Sequence, residues 1–210
     1  MKLMKWVFII AMISFIFNIL LLPFLPEQIP MHWNIYGQVD RYDNKYFVLL
    51  LAGLPILMYG LGKVLPKIDP KRENYKKHAK SYHLIMTLIM LFFIYINWIV
   101  LASSLGYGVD TSIWVNFGIG VLFIIMGNYM PKIRHNYFVG VKTPWTIADE
   151  DTWNKTHRVA GYYFLIAGLL FIFGGFVNQP NFYFASTAYI IIGVVGLFIY
   201  SYIVFKKNTK

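Results

Sequence analysis

The sequence predicts an all-α fold, an integral membrane bundle of six transmembrane helices with both termini cytoplasmic. Hydrophobic residues make up 58% of the chain and charged residues only 13%, and the mean hydropathy is +0.56. These values lie outside the usual range of soluble domains. The chain also holds six apolar runs that approach the roughly 20 residues needed to cross a hydrocarbon core of about 30 Å. The sequence therefore predicts an integral membrane protein that crosses the membrane several times.

The spans are predicted to be helices because a segment in lipid must satisfy its own backbone hydrogen bonds. The runs also lack the alternation of polar and apolar residues that marks barrel strands. In order along the chain, we place the six spans at residues 4–25, 47–65, 83–105, 111–130, 160–177 and 182–205.

The distribution of positive charge predicts the orientation. With the termini inside, 17 of the 19 Lys and Arg residues fall on inner segments, and only Arg41 and Lys45 fall on outer loops. This asymmetry follows the positive-inside rule. The net charge of +10 suits anionic lipid headgroups as partners. Because the cations are scattered over several juxtamembrane segments, direct nucleic-acid binding is not predicted.

We divide the chain into three regions. Residues 1–65 form an amino-terminal two-helix region with a structured outer loop, and residues 66–82 form a basic cytoplasmic loop. Residues 83–210 form a four-helix region that carries a cytoplasmic motif loop at 131–158.

The polar residues inside the spans indicate packing rather than transport. No Asp, Glu or Arg falls at the middle of a predicted span, whereas an ion-coupled transporter usually needs one. We expect Asn18, Asn97, Asn116 and Asn128 to make hydrogen bonds between helices. Small residues recur every seven positions in the fifth span, from Ala160-Gly161 onward, which predicts close approach of another helix within the chain or of a second copy.

The outer loop at residues 26–46 is the main predicted extracellular surface. Its prolines, aromatic residues and a glycine favour an ordered loop with a tight turn. His32 and the nearby acids match no metal-ligand spacing, so neither a metal site nor any other cofactor is expected. The candidate recognition residues in this loop are His32, Trp33, Asn34, Gly37 and Asp40.

The inner stretch VGVKTPWTIADEDTWNKTHR, residues 139–158, concentrates polar residues in an apolar chain. We expect a helix capped by Thr146, with Asp149 three residues later. Asp149, Trp153 and His157 would then share one face. One interpretation is a short interfacial helix anchored by Trp145 and Trp153, and another is a face that docks a partner or clamps the bundle. Acid-base or metal chemistry is a weaker alternative, because adjacent acids spread around a helix instead of converging.

The stretch GNYMPKIRHNYFVGVKTPWTIADEDTWNKTHR, residues 127–158, resembles the signature of the SdpI-type bacteriocin-immunity membrane proteins. The outer loop at 25–40 resembles the domain of unknown function that often precedes it. His135 and Lys142 depart from the common pattern, and Lys142 lacks the bidentate fork of the frequent Arg. The resemblance selects Asn128, Asn136, Gly140, Lys142, Thr143, Pro144, Trp145, Thr146, Trp153, Thr156, His157 and Arg158 as the cytoplasmic motif.

The resemblance implies a multi-pass immunity protein of the bacterial plasma membrane, which protects the cell against a secreted antimicrobial peptide toxin. Some members of that family also sense the toxin and capture a cytoplasmic repressor protein, and the resemblance extends this expectation to the present chain. The expected partners are thus a secreted peptide toxin and a cytoplasmic repressor, and no enzymatic activity is expected. The alternatives are a transporter of a small molecule or lipid and a membrane enzyme of the envelope.

Overall fold

The computed structural model describes residues 2–34, 38–177 and 179–209, without the side chain of Pro180. Within these residues, six helices are long and apolar enough to cross a membrane, which confirms the predicted fold class. They are α1 (Lys2–Leu21), α2 (Phe47–Ile68), α4 (Ala79–Ser104), α5 (Thr111–Tyr129), α7 (Glu150–Val177) and α8 (Pro180–Asn208). Two short helices, α3 (Arg72–Lys77) and α6 (Pro144–Ala148), lie between them.

The connections that carry most of the positive charge meet at one end of the bundle. There Met4 of α1 packs in one cluster with Tyr75 of α3 and Tyr82 of α4. Asp149, just before α7, accepts a hydrogen bond from Asn208 at the end of α8. We call this the motif end of the bundle. From the positive-inside rule we expect it to be the cytoplasmic end.

The outer loop forms a β-hairpin, which the all-helical prediction missed. Strand β1 (Gln28–Trp33) pairs antiparallel with β2 (Val39–Asn44), and the register shifts between Pro30 and Trp33. Leu25 and Ile29 are buried against Val100 and Leu101 of α4, which fixes the hairpin to the bundle. The predicted tight turn at Gly37 lies outside the described residues.

Two of the four asparagines make the predicted hydrogen bonds between helices. Asn18 and Asn97 are fully buried and donate to each other, with N–O distances of 2.9 and 3.1 Å. Asn97 also donates to the carbonyl oxygen of Val48, so α1, α2 and α4 are joined. The expectation is wrong for Asn116 and Asn128, which donate to carbonyl oxygens of their own helix.

The small residues of the fifth span pack within the chain. A Cβ on Gly161 would lie 2.9 Å from the carbonyl oxygen of Gly127, and a Cβ on Gly168 would lie 2.5 Å from that of Gly120. The backbones of α5 and α7 therefore touch, as small residues allow in membranes. Of the two expected arrangements, the structure has the contact within one chain.

The orientation of the bundle can be measured by cysteine labelling, since the chain has no native cysteine. Gln38 in the hairpin and Lys77 at the motif end are both exposed. We expect an impermeant thiol reagent to label Gln38→Cys in intact cells, and to label Lys77→Cys only after the membrane is opened. Labelling of both variants in intact cells would contradict the orientation.

Candidate functional site

The motif segment, residues 127–158, folds back against the motif end of the bundle. After α5 the chain forms a single 3-10 turn at Met130–Lys132, then an irregular stretch, then α6 and the beginning of α7. The predicted short interfacial helix is thus two elements. The second of them continues without interruption into the fifth span.

Trp153 is the centre of this packing. Its side chain is 0% exposed, and its Nε1 donates a hydrogen bond to the carbonyl oxygen of Ile133 at 2.8 Å. Its ring stacks with those of His157 and His135, at centroid distances of 3.9 and 5.1 Å. The interpretation of Trp153 as an interfacial anchor is therefore wrong, because an anchor would keep its ring at the membrane surface.

His157 is held as a neutral imidazole. Nδ1 lies 2.8 Å from the carbonyl oxygen of Trp153 and must donate, while Nε2 accepts from the backbone N–H of Val141 at 3.0 Å. An imidazole that donates at one nitrogen and accepts at the other carries one proton. The ring therefore fixes the chain at Val141 to α7, and both of its nitrogens are already occupied.

Gly140 lets the chain pass over this stack. Its φ angle is +127°, a conformation that residues with a Cβ rarely adopt. A Cβ there would collide with Nε2 of His157 and would lie 3.1 Å from ring atoms of Trp153. The glycine is thus required both by the backbone conformation and by the close approach of the rings.

His135, the departure from the family pattern, joins the motif segment to the basic loop. Its ring is buried, its Nε2 donates to the carbonyl oxygen of Ile147 at 2.9 Å, and its Nδ1 accepts from Nζ of Lys71 at 2.8 Å. Burial, and then the Lys71 ammonium, lower the pKa of His135. The neutral ring is the form that can accept from a lysine.

Asn136 and Asp69 order the irregular stretch. Asn136 is fully buried and its amide donates to the carbonyl oxygens of Arg134 and Val139, while its Oδ1 accepts from the backbone at Phe138 and Val139. The Asp69 carboxylate accepts from the Tyr75 hydroxyl and from the backbone N–H of Tyr137, both at 2.9 Å. Burial, and then the Asp69 carboxylate, raise the pKa of Tyr75.

The helix caps differ from the predicted ones. Thr143, not Thr146, caps α6, and Thr146 completes a capping box by accepting from the backbone N–H of Thr143 at 2.8 Å. Pro144 occupies the first position of α6, where a missing N–H costs nothing. The Thr143 hydroxyl also shares a 2.9 Å hydrogen bond with Ser201, which ties α6 to α8.

Asp149 lies just before α7 rather than on its face. Its carboxylate accepts from the backbone N–H of Thr152 at 2.7 Å and from Asn208, and the Thr152 hydrogen bonds lower the pKa of Asp149. Of the predicted stripe, only Trp153 and His157 form a buried pair. Asp151 pairs with Lys155 instead, and Glu150 is exposed, so the three acids do not converge on one point.

The remaining motif residues divide by exposure. Trp145 is half-buried and packs against Phe198 and Tyr202 of α8. Thr156 is buried, and its hydroxyl has no hydrogen-bond partner among the described residues. Exposed at the surface are Asn128, Lys142 and Arg158.

The candidate residues of the outer loop lie at the opposite end of the bundle. His32 and Asp40 are both exposed, on opposite strands of the hairpin, and Nδ1 of His32 lies 2.5 Å from a carboxylate oxygen of Asp40. Trp33 and Asn34 line a cavity of about 250 Å³ with Thr111 and Asn116 of α5. Trp33 also packs against the buried cluster that includes Leu25.

Sequence reasoning missed the residues that brace the motif from elsewhere. Asp69, Lys71, Asn74 and Tyr75 come from the loop that was interpreted only as basic, and Ser201 comes from the last span. The lysine-rich loop holds two acids, Asp69 and Glu73, and their presence was the available signal for Asp69. Nothing in the spacing pointed to Ser201.

Comparison with known proteins finds two family matches and one similar protein along the chain. Residues 132–205 match the SdpI/YfhL protein family, and residues 9–58 match a domain of unknown function, DUF1648. Immunity protein SdpI of Bacillus subtilis strain 168 is 27% identical over 200 residues, which cover 95% of this chain and 94% of that protein. No solved structure matches the chain.

The two matched regions cover different parts of the fold. The match at residues 9–58 contains most of α1, the hairpin and the first half of α2. The match at residues 132–205 contains most of the motif segment, all of α7 and nearly all of α8. With its six apolar helices, the chain is a multi-pass plasma-membrane protein, and its residues 132–205 match the SdpI/YfhL protein family.

Proposed function

We propose that this chain is an immunity protein, which protects a bacterial cell against a secreted antimicrobial peptide toxin. The observation that carries the proposal is the similarity to Immunity protein SdpI over 95% of the chain. The similarity extends over both the hairpin and the motif segment, so it is not confined to a common membrane helix.

The hairpin is the surface that we propose for toxin recognition. It lies at the predicted outer end, where a secreted peptide first meets the protein. Its exposed polar pair, His32 and Asp40, lies beside a cavity lined partly by Trp33. Aromatic side chains next to a few polar groups commonly dominate the energy of a binding patch.

We assign the capture of a cytoplasmic repressor to the motif end. The motif segment packs against the bundle through buried side chains and presents Lys142 and Arg158 at its surface. Exposed cations on an ordered segment suit an acidic protein surface, because charge complementarity steers association.

The proposal is tested by survival of a toxin-sensitive strain that expresses this chain. Candidate toxins are supplied as culture supernatants of peptide-secreting bacteria. We expect growth in a supernatant that kills the same strain carrying an empty vector. Killing of both strains by every supernatant, with the protein present in the membrane, would contradict the proposal.

The hairpin is tested in the same strain with His32→Ala combined with Asp40→Ala. Both side chains are exposed and lie outside the buried cluster, so the fold and the membrane abundance should be kept. We expect at least a tenfold lower toxin concentration for half-maximal killing, since truncation of a residue that dominates a binding patch costs about 2 kcal/mol or more.

The matched control combines Arg41→Ala with Tyr42→Ala, which are exposed neighbours on β2. Protection by the control should equal that of the unchanged protein. If both double variants protect the strain as well as the unchanged protein does, the His32–Asp40 pair is excluded from recognition.

A further inference from the structure

A basic cavity of about 590 Å³ opens at the motif end, and the beginning of the motif segment forms part of its wall. It lies where the amino-terminal end of α4 meets the turn that follows α5. Its walls include five cationic side chains and one histidine, namely Lys76, Lys77, Lys80, Lys132, Arg134 and His78.

The lining holds no acid to balance these cations. Among the described residues, one lining side chain has a carboxylate partner: Lys76, which pairs with the exposed Glu73 at 2.6 Å. Nζ of Lys132 lies over the ring of Tyr129 at 4.4 Å. Like charges brought together around one concave surface repel each other unless an anion joins them. The cavity therefore has the charge that an anionic group requires.

His78 is the buried member of the lining. It is 4% exposed, and its Nδ1 donates to the carbonyl oxygen of Asn74 at 2.8 Å. Its Nε2 has no hydrogen-bond partner among the described residues. Buried polar atoms are almost always paired, so an unpaired one at the wall of a cavity points to a bound group. Burial lowers the pKa of His78. An anionic oxygen beside Nε2 would favour the protonated ring, which donates through that nitrogen as well.

The beginning of α4 adds partial positive charge. His78 is the N-cap residue of this 26-residue helix, and no side chain caps its first backbone N–H groups. Lys80 and Ser81 in the first turn line the cavity. Free N–H groups at the start of a long helix favour phosphate and other anions.

A second cavity of about 290 Å³ shares Lys80 with the first. Its other walls include the apolar side chains of Leu3, Met4 and Leu84 and the half-buried His83, whose Nδ1 is also unpaired among the described residues. A charged cavity next to an apolar one matches a molecule with a phosphate and a hydrocarbon part. This pairing favours a lipid over a free inorganic ion.

We propose that the two cavities form a site for an anionic phospholipid of the inner leaflet. The phosphate group would lie among Lys77, Lys80, Arg134 and His78, and the glycerol with the first acyl carbons would lie against Leu3, Met4 and Leu84. Such a lipid would brace α4 against the turn after α5, next to the motif segment.

The test uses the full-length protein purified in detergent and mixed with defined lipids. Native mass spectrometry would count the lipids retained from phosphatidylglycerol, from zwitterionic phosphatidylcholine, and from phosphatidylglycerol with millimolar inorganic phosphate. We expect one tightly retained phosphatidylglycerol, at least about tenfold weaker retention of phosphatidylcholine, and no displacement by inorganic phosphate.

The diagnostic variant combines Lys80→Gln with Arg134→Gln, and the control combines Lys206→Gln with Lys207→Gln. Both remove two exposed cations from the motif end, so their net charges are equal. We expect about tenfold weaker retention of phosphatidylglycerol for the first variant alone, with unchanged melting temperatures in lipid-free detergent.

Two results would overturn the proposal. Equal retention by both double variants would reduce the effect to general attraction between a basic surface and anionic lipid. Displacement by inorganic phosphate would make the cavity a site for the free anion. Neither result would bear on protection against a toxin, so this site stands or fails apart from the proposed function.

Discussion

Gly140→Ala is expected to unfold the motif segment and to lower the stability of the protein by about 3 kcal/mol. The new methyl group would collide with Nε2 of His157, which accepts the backbone hydrogen bond of Val141. Overpacking of a filled core costs about 1–3 kcal/mol. The φ angle of +127° adds strain of about 1–2 kcal/mol for any residue with a Cβ.

The control for Gly140→Ala is Gly106→Ala. Gly106 also has a positive φ angle, +80°, but a Cβ there would have open space around it. Its substitution should therefore cost only the backbone strain, about 1 kcal/mol. The difference between the two variants measures the collision with the ring stack.

The measurement is the melting temperature of each purified variant in detergent, together with its abundance in the membrane. We expect Gly140→Ala to melt at a temperature roughly 10 °C lower, and Gly106→Ala at one a few degrees lower. Equal melting temperatures for the two variants would show that the chain can move away from His157, contrary to the packing described above.

The spans were predictable because hydropathy is a local property of the chain. A run of about 20 apolar residues must leave water wherever its neighbours lie, so all six helices were found. The packing face of α7 was also predictable, because a seven-residue repeat places its small residues on one stripe of the helix. The sequence did not show which helix packs against that stripe. The spacing of Gly120 and Gly127 on α5 fits the stripe, but other pairs of helices would satisfy the same spacing.

The hairpin was missed because its pattern is mixed. Only Ile29 and Pro30 of β1 are buried, and β2 has no buried residue, so neither strand alternates regularly. The prolines at its start and Gly37 were interpreted as signs of an ordered loop. An ordered loop with a tight turn is compatible with a hairpin, but the register is set by contacts with α4 that the sequence does not reveal.

The position of the motif along the chain was predictable, but the packing of its side chains was not. The spacing of Trp153 and His157 puts them on one face, as the structure shows. What covers that face comes from Ile133, His135 and Gly140, which approach through an irregular stretch. The same spacing would have suited a ring pair at the membrane surface. The choice between anchor and packed core depends on tertiary contacts, which periodicity does not encode.

Trp153→Ala is expected to have the largest effect of any single substitution in the motif. The side chain is 0% exposed, stacks with two histidine rings and satisfies the carbonyl oxygen of Ile133, which is itself buried. Truncation of a buried aromatic residue costs about 3–5 kcal/mol. We therefore expect low membrane abundance and a melting temperature at least roughly 10 °C lower.

The variant Trp153→Phe measures the contribution of the indole N–H group separately from that of the aromatic ring. Phenylalanine keeps most of the apolar contact but leaves the Ile133 carbonyl oxygen without its donor, which costs about 1–3 kcal/mol. The control is Trp6→Ala, because Trp6 lies at the same end of the bundle and is 65% exposed. Its substitution should change stability by less than about 0.5 kcal/mol. A melting temperature for Trp153→Ala equal to that of Trp6→Ala would contradict the packed position of the ring.

The same variants decide whether the motif segment only stabilises the protein. Since the hairpin proposed for toxin recognition lies at the other end of the bundle, we expect protection to fall in proportion to the folded protein in the membrane. The cytoplasmic proteins that co-purify with Trp153→Phe should then match those of the unchanged chain. Lost protection at unchanged abundance, or a changed set of co-purified proteins, would make the motif segment a functional site in its own right. It would then act at the end of the bundle opposite the hairpin that we propose for toxin recognition.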